Sequence, residues 1–328
     1  MTKRSVSRRL VTSLASPKFS LNILCLVVTV FVLLQIWLLC LKGVDDHDGS
    51  WNYYALAWPQ SLPVNASLQK GLTFVSYNHY DYGNMWHGLS AMVPFIAWSL
   101  RNQCEKPQRW VLYHWGELRF GMGNWLSEII TATYGQNIEF LRFVDENKPV
   151  CFEKAVVMRH NEGGMSRERR MEVFDLIRCK ARNYCNLSLS KTSKLRIVEL
   201  MSMTDVLVSP HGAQLTNLVL MDRNSSVMEF YPKGWLKLAG VGQFVYQWGA
   251  NWSGMRHEGS WRDPVGEICQ FPDTDRRCMS VYKNGRIGYN ETYFGDWATS
   301  VLGKFKVRKM EDVVERNNGY GSVNGCMC

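Results

Sequence analysis

Polar and apolar positions alternate with several different periods along this chain, and the first long apolar stretch has no polar face at all. Leu21 to Leu41 contains no charged side chain, and at about 1.5 Å per helical residue it spans a hydrocarbon core of roughly 30 Å. It is too long for the apolar part of a cleaved signal peptide, and no small-x-small cleavage site follows it. A transmembrane anchor over 21–41, behind a tail over 1–20, is therefore expected in place of a buried core helix. Gly43 to Ser67, with Pro59 and Pro63, reads as a stem leading into the domain, which is taken to begin near residue 71. Apolar and β-branched runs then predict strands around 72–77, 110–113, 139–144, 154–158, 206–208 and 227–230. Helical patterns fall at 88–100, apolar on nearly every side, and at 167–184, where Met171, Phe174, Ile177 and Ala181 share a face behind Ser166 as N-cap. Two more are expected at 195–204 and 213–221. The alternation is that of an α/β protein, although no β-rich run separates the helices at 167–184 and 195–204.

Charge changes the picture at one end. The net +9 includes Lys3, Arg4, Arg8, Arg9 and Lys18, all ahead of the apolar run; without those five, 33 basic side chains face 29 acidic ones. A nucleic-acid face is not indicated. With Asp45, Asp46 and Asp48 on the far side of the anchor, the tail is expected in the cytosol and the remainder in the secretory lumen, a type II arrangement. Eight of the ten cysteines lie beyond the anchor, an even number suited to disulfides of unreadable connectivity. Five N-glycosylation sequons, at Asn65, Asn186, Asn224, Asn251 and Asn290, agree with a lumenal address.

The chemistry concentrates in Asp205-Val-Leu-Val-Ser-Pro-His-Gly-Ala-Gln-Leu-Thr-Asn217 and the following Ser226-Val-Met-Glu-Phe-Tyr-Pro232. Val206 to Val208 reads as a buried strand, Gly212 as a tight turn, and Ala213 to Met221 as a helix whose first amides and positive dipole end would face an anion at the sheet edge. Glu229 would end the next strand on the same edge, where a carboxylate can accept hydrogen bonds from a ribose or a sugar. The plainer alternative is a structural turn, with His211 satisfying a neighbouring carbonyl and Glu229 a solvated strand end.

The wording His-Gly-Ala-x-Leu-Thr-Asn, a short loop, then Ser-Val-x-Glu-x-x-Pro resembles the signature of family 61 glycosyltransferases, which include plant β-1,2-xylosyltransferase and the EGF-domain O-linked N-acetylglucosamine transferases. An Asn-x-x-His element opening a helix, here Asn84 to His87, is similar to the same family. The resemblance implies an inverting Golgi transferase of GT-B-like architecture: an acceptor-side Rossmann-like half over 71–160 and a nucleotide-sugar-side half over 161–328, whose completeness stays open. It implies a nucleotide-sugar donor carrying a pentose or N-acetylglucosamine, a glycan or glycoprotein acceptor, and no metal or other cofactor. The family's basic loop with an arginine near the donor phosphates has no counterpart between Cys185 and Leu195.

Donor contacts are assigned on this basis to His211, Gly212, Ala213, Thr216, Asn217 and Glu229, with Arg159 at the exit of its strand. Inverting transfer also needs a base on the acceptor hydroxyl. His87 and Glu117 are the candidates, and the sequence does not rank them. Arg167, Arg169 and Arg170 at a helix start suit a bound anion or plain solvation. The tryptophans of 235–261 suit sugar rings or the bounding of loops. Asp273-Thr-Asp275 has the spelling of metal-dependent transferases but lacks a strand before it. A catalytically silent lumenal protein that binds carbohydrate or a protein partner on the same fold remains the alternative to an enzyme.

Overall fold

The computed structural model describes residues 61–115, 117–143, 148–159, 165–187, 196–232, 234–263, 268–272, 274–285, 287–288, 290–317 and 326–328. The expected tail, the anchor at 21–41, most of the stem, the segment 188–195 and Asp273 lie outside these residues. Among the described residues no helix is long and apolar enough to cross a membrane. Leu62–Cys328 form one compact unit, a mixed α/β structure built on two sheets.

The first sheet holds β1 (Ser67–Asn78), β2 (Arg109–His114), β3 (Glu117–Arg119), β4 (Glu139–Phe140) and β5 (Val150–Arg159). The parallel strands run β4-β2-β1-β5, and β3 folds back antiparallel on β2. Winding therefore reverses between β1 and β5, which leaves a crevice at their carboxyl ends. Of the strand expected at 139–144 the structure keeps two residues. The reason is competition for one edge: β3 pairs with Leu112–His114, which leaves β4 only Arg109 and Trp110.

Helix α1 (Met85–Arg101) starts at Asn84, whose side-chain oxygen accepts from the amides of Trp86 (3.0 Å) and His87 (3.3 Å), a cap of about 1 kcal/mol. Helix α2 (Asn124–Tyr134) occupies a stretch whose Gly121 and Gly123 imitate a dinucleotide fingerprint without its third glycine. Phe74 of β1 sits beneath both helices, 4.7 Å from the ring of Phe95 and 5.3 Å from that of Trp110.

The second sheet is wholly parallel, in the order β6 (Val206–Pro210), β7 (Ser226–Tyr231), β8 (Arg256–Arg262). The strand at 206–208 was expected to be buried; it is the sheet edge, with Val208 41% exposed, because β7 takes the central place. Helix α3 (Arg167–Leu187) packs on α1 and α2 and also on a 3-10 helix (Ala213–Leu220) and α6 (Val245–Trp252), so both sheets share one apolar core running from Leu72 to Met255. Arg178 of α3 is buried and donates to Met221 O (3.0 Å) and Ser253 O (2.9 Å), closing the carboxyl ends of the 3-10 helix and α6. At the start of α3, Arg167 donates to Asn251 and Arg170 lies 4.3 Å from the ring of Trp252.

The chain is completed by α4 (Arg196–Ser202), α5 (Trp235–Ala239), α7 (Arg277–Asn284) and α8 (Glu291–Asn317), the last covering the outer face of the second sheet where Phe294 meets Phe230. Disulfides Cys104–Cys328 and Cys179–Cys326 tie the end of the chain to the exit of α1 and to α3, and Cys269–Cys278 staples the segment before α7. Cys151 and Cys185 lie outside these bridges.

Candidate functional site

The candidate residues fall on both sheets. On the first sheet, the guanidinium of Arg159 at the end of β5 donates to Nε2 of His79, just past β1, at 2.7 Å, and lies 5.8 Å from the ring of Tyr77. Arg159 thus stands at the winding reversal of the first sheet. One residue on, Tyr80 stacks flat on His87 with ring centroids 4.3 Å apart and planes at 13°.

His87 is half-buried in the first turn of α1. Burial pulls its pKa down, the carboxylate of Asp81 draws it partly back, and the ammonium of Lys283 lowers it again. The imidazole is therefore neutral at neutral pH, with a lone pair able to take a proton, and Asp81 stabilises the cation once formed. Glu117 is placed differently. It is exposed in β3, beyond β2, and pairs with Arg119 at 3.3 Å.

The second sheet shows a closed cluster. Glu229, expected at an accessible strand end, lies inside β7, in register with Ser209 and Ser260, and is completely buried. Nδ1 of His211 donates to its Oε1 at 2.8 Å and Nε2 of His257 to its Oε2 at 2.6 Å, with the Tyr231 hydroxyl donating at 3.0 Å. Burial pushes the Glu229 carboxyl up, but the two imidazole hydrogen bonds outweigh it and hold the pKa below the ordinary value. Burial and the Glu229 charge push the Tyr231 hydroxyl up.

The expectation of an edge carboxylate for ribose is thus corrected, because both carboxylate oxygens are occupied by the protein. Neither half of the plainer alternative holds for the side chains either: the His211 imidazole bonds a carboxylate, while its backbone N–H donates to Phe230 O at 2.8 Å, and Glu229 is not solvated. The His211 ring, 5% exposed, is enclosed by Tyr231, Trp235 and Tyr246 at centroid distances of 5.1, 5.2 and 5.1 Å.

The turn after His211 is also tighter than expected. A 3-10 helix replaces the α-helix, with Leu215 N–H bonded to Gly212 O at 3.0 Å. Gly212 is extended, at φ 169°, so its backbone angle does not require glycine. Gly212, Ala213 and Gln214 keep exposed surface, whereas Thr216 is fully buried. Asn217 donates to Gln214 O at 2.9 Å, and its own side-chain oxygen is buried with no hydrogen-bond partner among the described residues.

His257 was not foreseen. Its strand looks like a loop, since Arg256-His-Glu-Gly-Ser is polar where a parallel strand is ordinarily apolar. Gly259 is the signal that was available: its φ of +121° accompanies a register shift between Val227 and Glu229, a bulge that re-aims the strand.

Lys283 was missed as well, and Trp235 was marked only as one of the tryptophans suited to sugar rings. Lys283 sits in the last turn of α7 with its Nζ 5.4 Å from the Trp235 ring centroid, and so connects His87 on one side with the His211 enclosure on the other.

Asn65, Asn224, Asn251 and Asn290 are exposed, and Asn186 lies near the end of α3. The side-chain oxygen of Asn251 accepts from Arg167 (3.0 Å), and that of Asn290 accepts from Tyr293 N–H (2.9 Å). Among the described residues no group of three or more His, Cys, Asp or Glu converges as metal ligands. Asp275 is instead paired with Arg277, whose hydrogen bonds bring its carboxyl down to about 2. Compared with models of known protein families the chain matches none, and no curated protein matches it.

Proposed function

We propose that the chain is an inverting glycosyltransferase of GT-B-like organisation, with two Rossmann-like halves, moving a pentose or N-acetylglucosamine from a nucleotide sugar to a glycan or glycoprotein. The observation that carries this reading is the position of His87, a half-buried neutral imidazole at the carboxyl edge of one parallel sheet, linked through Lys283 and Trp235 to the carboxyl edge of the other. In open parallel sheets that edge is where ligands bind.

His87 takes the proton of the acceptor hydroxyl. The freed oxygen bonds to the anomeric carbon on the face opposite the diphosphate, and the bond from that carbon to the phosphate oxygen breaks with its electron pair leaving on the nucleoside diphosphate. The exposed backbone of Gly212–Gln214 faces the departing charge. His211, Thr216 and Glu229 support that turn from beneath, and no metal is assigned a role.

The charge-free run at 21–41, the five sequons and the three disulfides support a type II protein of the Golgi membrane with its domain in the lumen. A second reading, a lumenal carbohydrate- or partner-binding protein without turnover, draws on one observation: the enclosure of His211, which fills the corner where the family resemblance sets the donor.

Purified full-length protein offered a panel of nucleotide sugars separates the two. One donor is expected to bind and be consumed, and His87→Ala should cut transfer by about 10²–10⁴-fold while leaving donor affinity within about twofold. Binding without consumption selects the second reading, and silence across the panel overturns the transferase.

A further inference from the structure

The short segment from Ile268 to Gly285 has a small core of its own, Cys269, Cys278 and Tyr282, apart from the main one. The Cys269–Cys278 bridge closes it. It is seated on the body of the protein where Leu238 packs on this core and the Tyr282 ring lies against Gly234, at which a β-carbon would come within 2.4 Å of the ring and whose φ is +75°. Lys283 follows Tyr282 directly, and its ammonium stands over the face of Trp235, where its charge is felt at His87.

Trp235 supplies a second donor at this corner. The residue is 8% exposed, and its indole N–H is buried with no hydrogen-bond partner among the described residues. A buried donor left unmade is costly and is ordinarily answered by water or a ligand. Asp81 is turned to its own loop, accepting from Gly83 N–H at 3.0 Å, and both carboxylate oxygens of Glu229 are held by imidazoles.

We propose that Lys283 and the indole N–H of Trp235 form an anion-binding corner for a diphosphate, presented by the disulfide-stapled 268–285 segment. An anionic oxygen there accepts from both donors, satisfying the indole and pairing with the ammonium in one step. This deepens the transferase reading, since it names the groups that meet the donor's diphosphate, yet its test needs no sugar.

The probe is inorganic pyrophosphate, titrated calorimetrically at low ionic strength into the full-length protein. Wild type should bind it, and Lys283→Ala should weaken binding about tenfold or more, the loss of one charge-assisted contact. Lys283→Arg should stay within about threefold of wild type, and Trp235→Phe should weaken binding by a smaller factor than Lys283→Ala. Lys304→Ala, an exposed cation on α8, should change nothing. Failure of wild type to bind pyrophosphate, or equal binding by Lys283→Ala, overturns the corner. Lys283-dependent binding together with no nucleotide sugar consumed upholds the corner and removes the transferase.

Discussion

Two histidines open the two halves of the candidate site, and they do opposite things. His87 stacks on Tyr80 at the rim, its neutrality set by burial and the Lys283 charge, with Asp81 ready to stabilise the protonated form. His211 is sealed under three aromatic rings and bonded to a carboxylate that also holds His257. Residue type does not separate them, and neither does position, since both follow strand ends. What separates them is whether the imidazole's partner is inside the protein. A histidine whose hydrogen bond is answered by a fully buried glutamate is a tie between strands β6, β7 and β8; one left half-buried among charges is available for chemistry.

The largest effect that could break this contrast is on stability. Glu229→Leu leaves two buried imidazole donors without an acceptor and should cost about 3–5 kcal/mol of unfolding free energy in urea titrations. His87→Leu, at the rim, should cost about 1 kcal/mol or less. Equal losses would mean that both histidines are structural, and a harmless Glu229→Leu that abolished donor binding would return Glu229 to the ligand.

The same carboxylate has a pH signature. Its folded pKa is depressed below the ordinary 4.5, so its stabilisation is fully present above that value and is lost as pH falls through the folded one. Urea midpoints measured from about pH 6 down to about pH 3 should fall more steeply for wild type than for Glu229→Gln. Parallel curves would mean that the two imidazoles do not hold the carboxylate.

A smaller effect sharpens the rim side of the comparison. Gly234→Ala asks a non-glycine residue to adopt φ +75° and to displace the Tyr282 ring. It should cost about 1–3 kcal/mol. Its mark should fall on pyrophosphate binding, since Tyr282 carries Lys283, and not on the acid limb of the stability curve, which belongs to Glu229. An unchanged pyrophosphate affinity would show that α7 is seated by other contacts.

How much of this was legible beforehand follows from which forces are local. β1, β2, β5, α1 and α3 were visible because period-2 and period-3.6 patterns report their own burial. β4 was overestimated because the edge it needed is taken by β3, a competition that no stretch of sequence records. Glu229 was placed in the right strand yet on the wrong side of the solvent boundary: alternation says that it opposes Met228, not which face is covered. His257 was hidden by polar neighbours that a bulge makes tolerable, and Lys283 by its dependence on a disulfide and on the fit of Tyr282 to Gly234. The transmembrane expectation rests on the sequence, because 21–41 lies outside the described residues.

The smallest effect belongs to Asp275, the one described acid of the Asp-x-Asp spelling. Its carboxylate is engaged by Arg277 through two guanidinium nitrogens and the backbone amide, which lowers its pKa. Surface pairs of this kind contribute little to stability. Asp275→Asn should therefore leave the unfolding midpoint and pyrophosphate binding unchanged, and a chelator should not alter transfer. Should the substitution abolish turnover while added manganese restores it, the acid is a metal ligand in company with Asp273. The charge facing the diphosphate would then come from a cation as well as from Lys283, and the rim would have to be redrawn with the 268–285 segment as its metal-bearing wall.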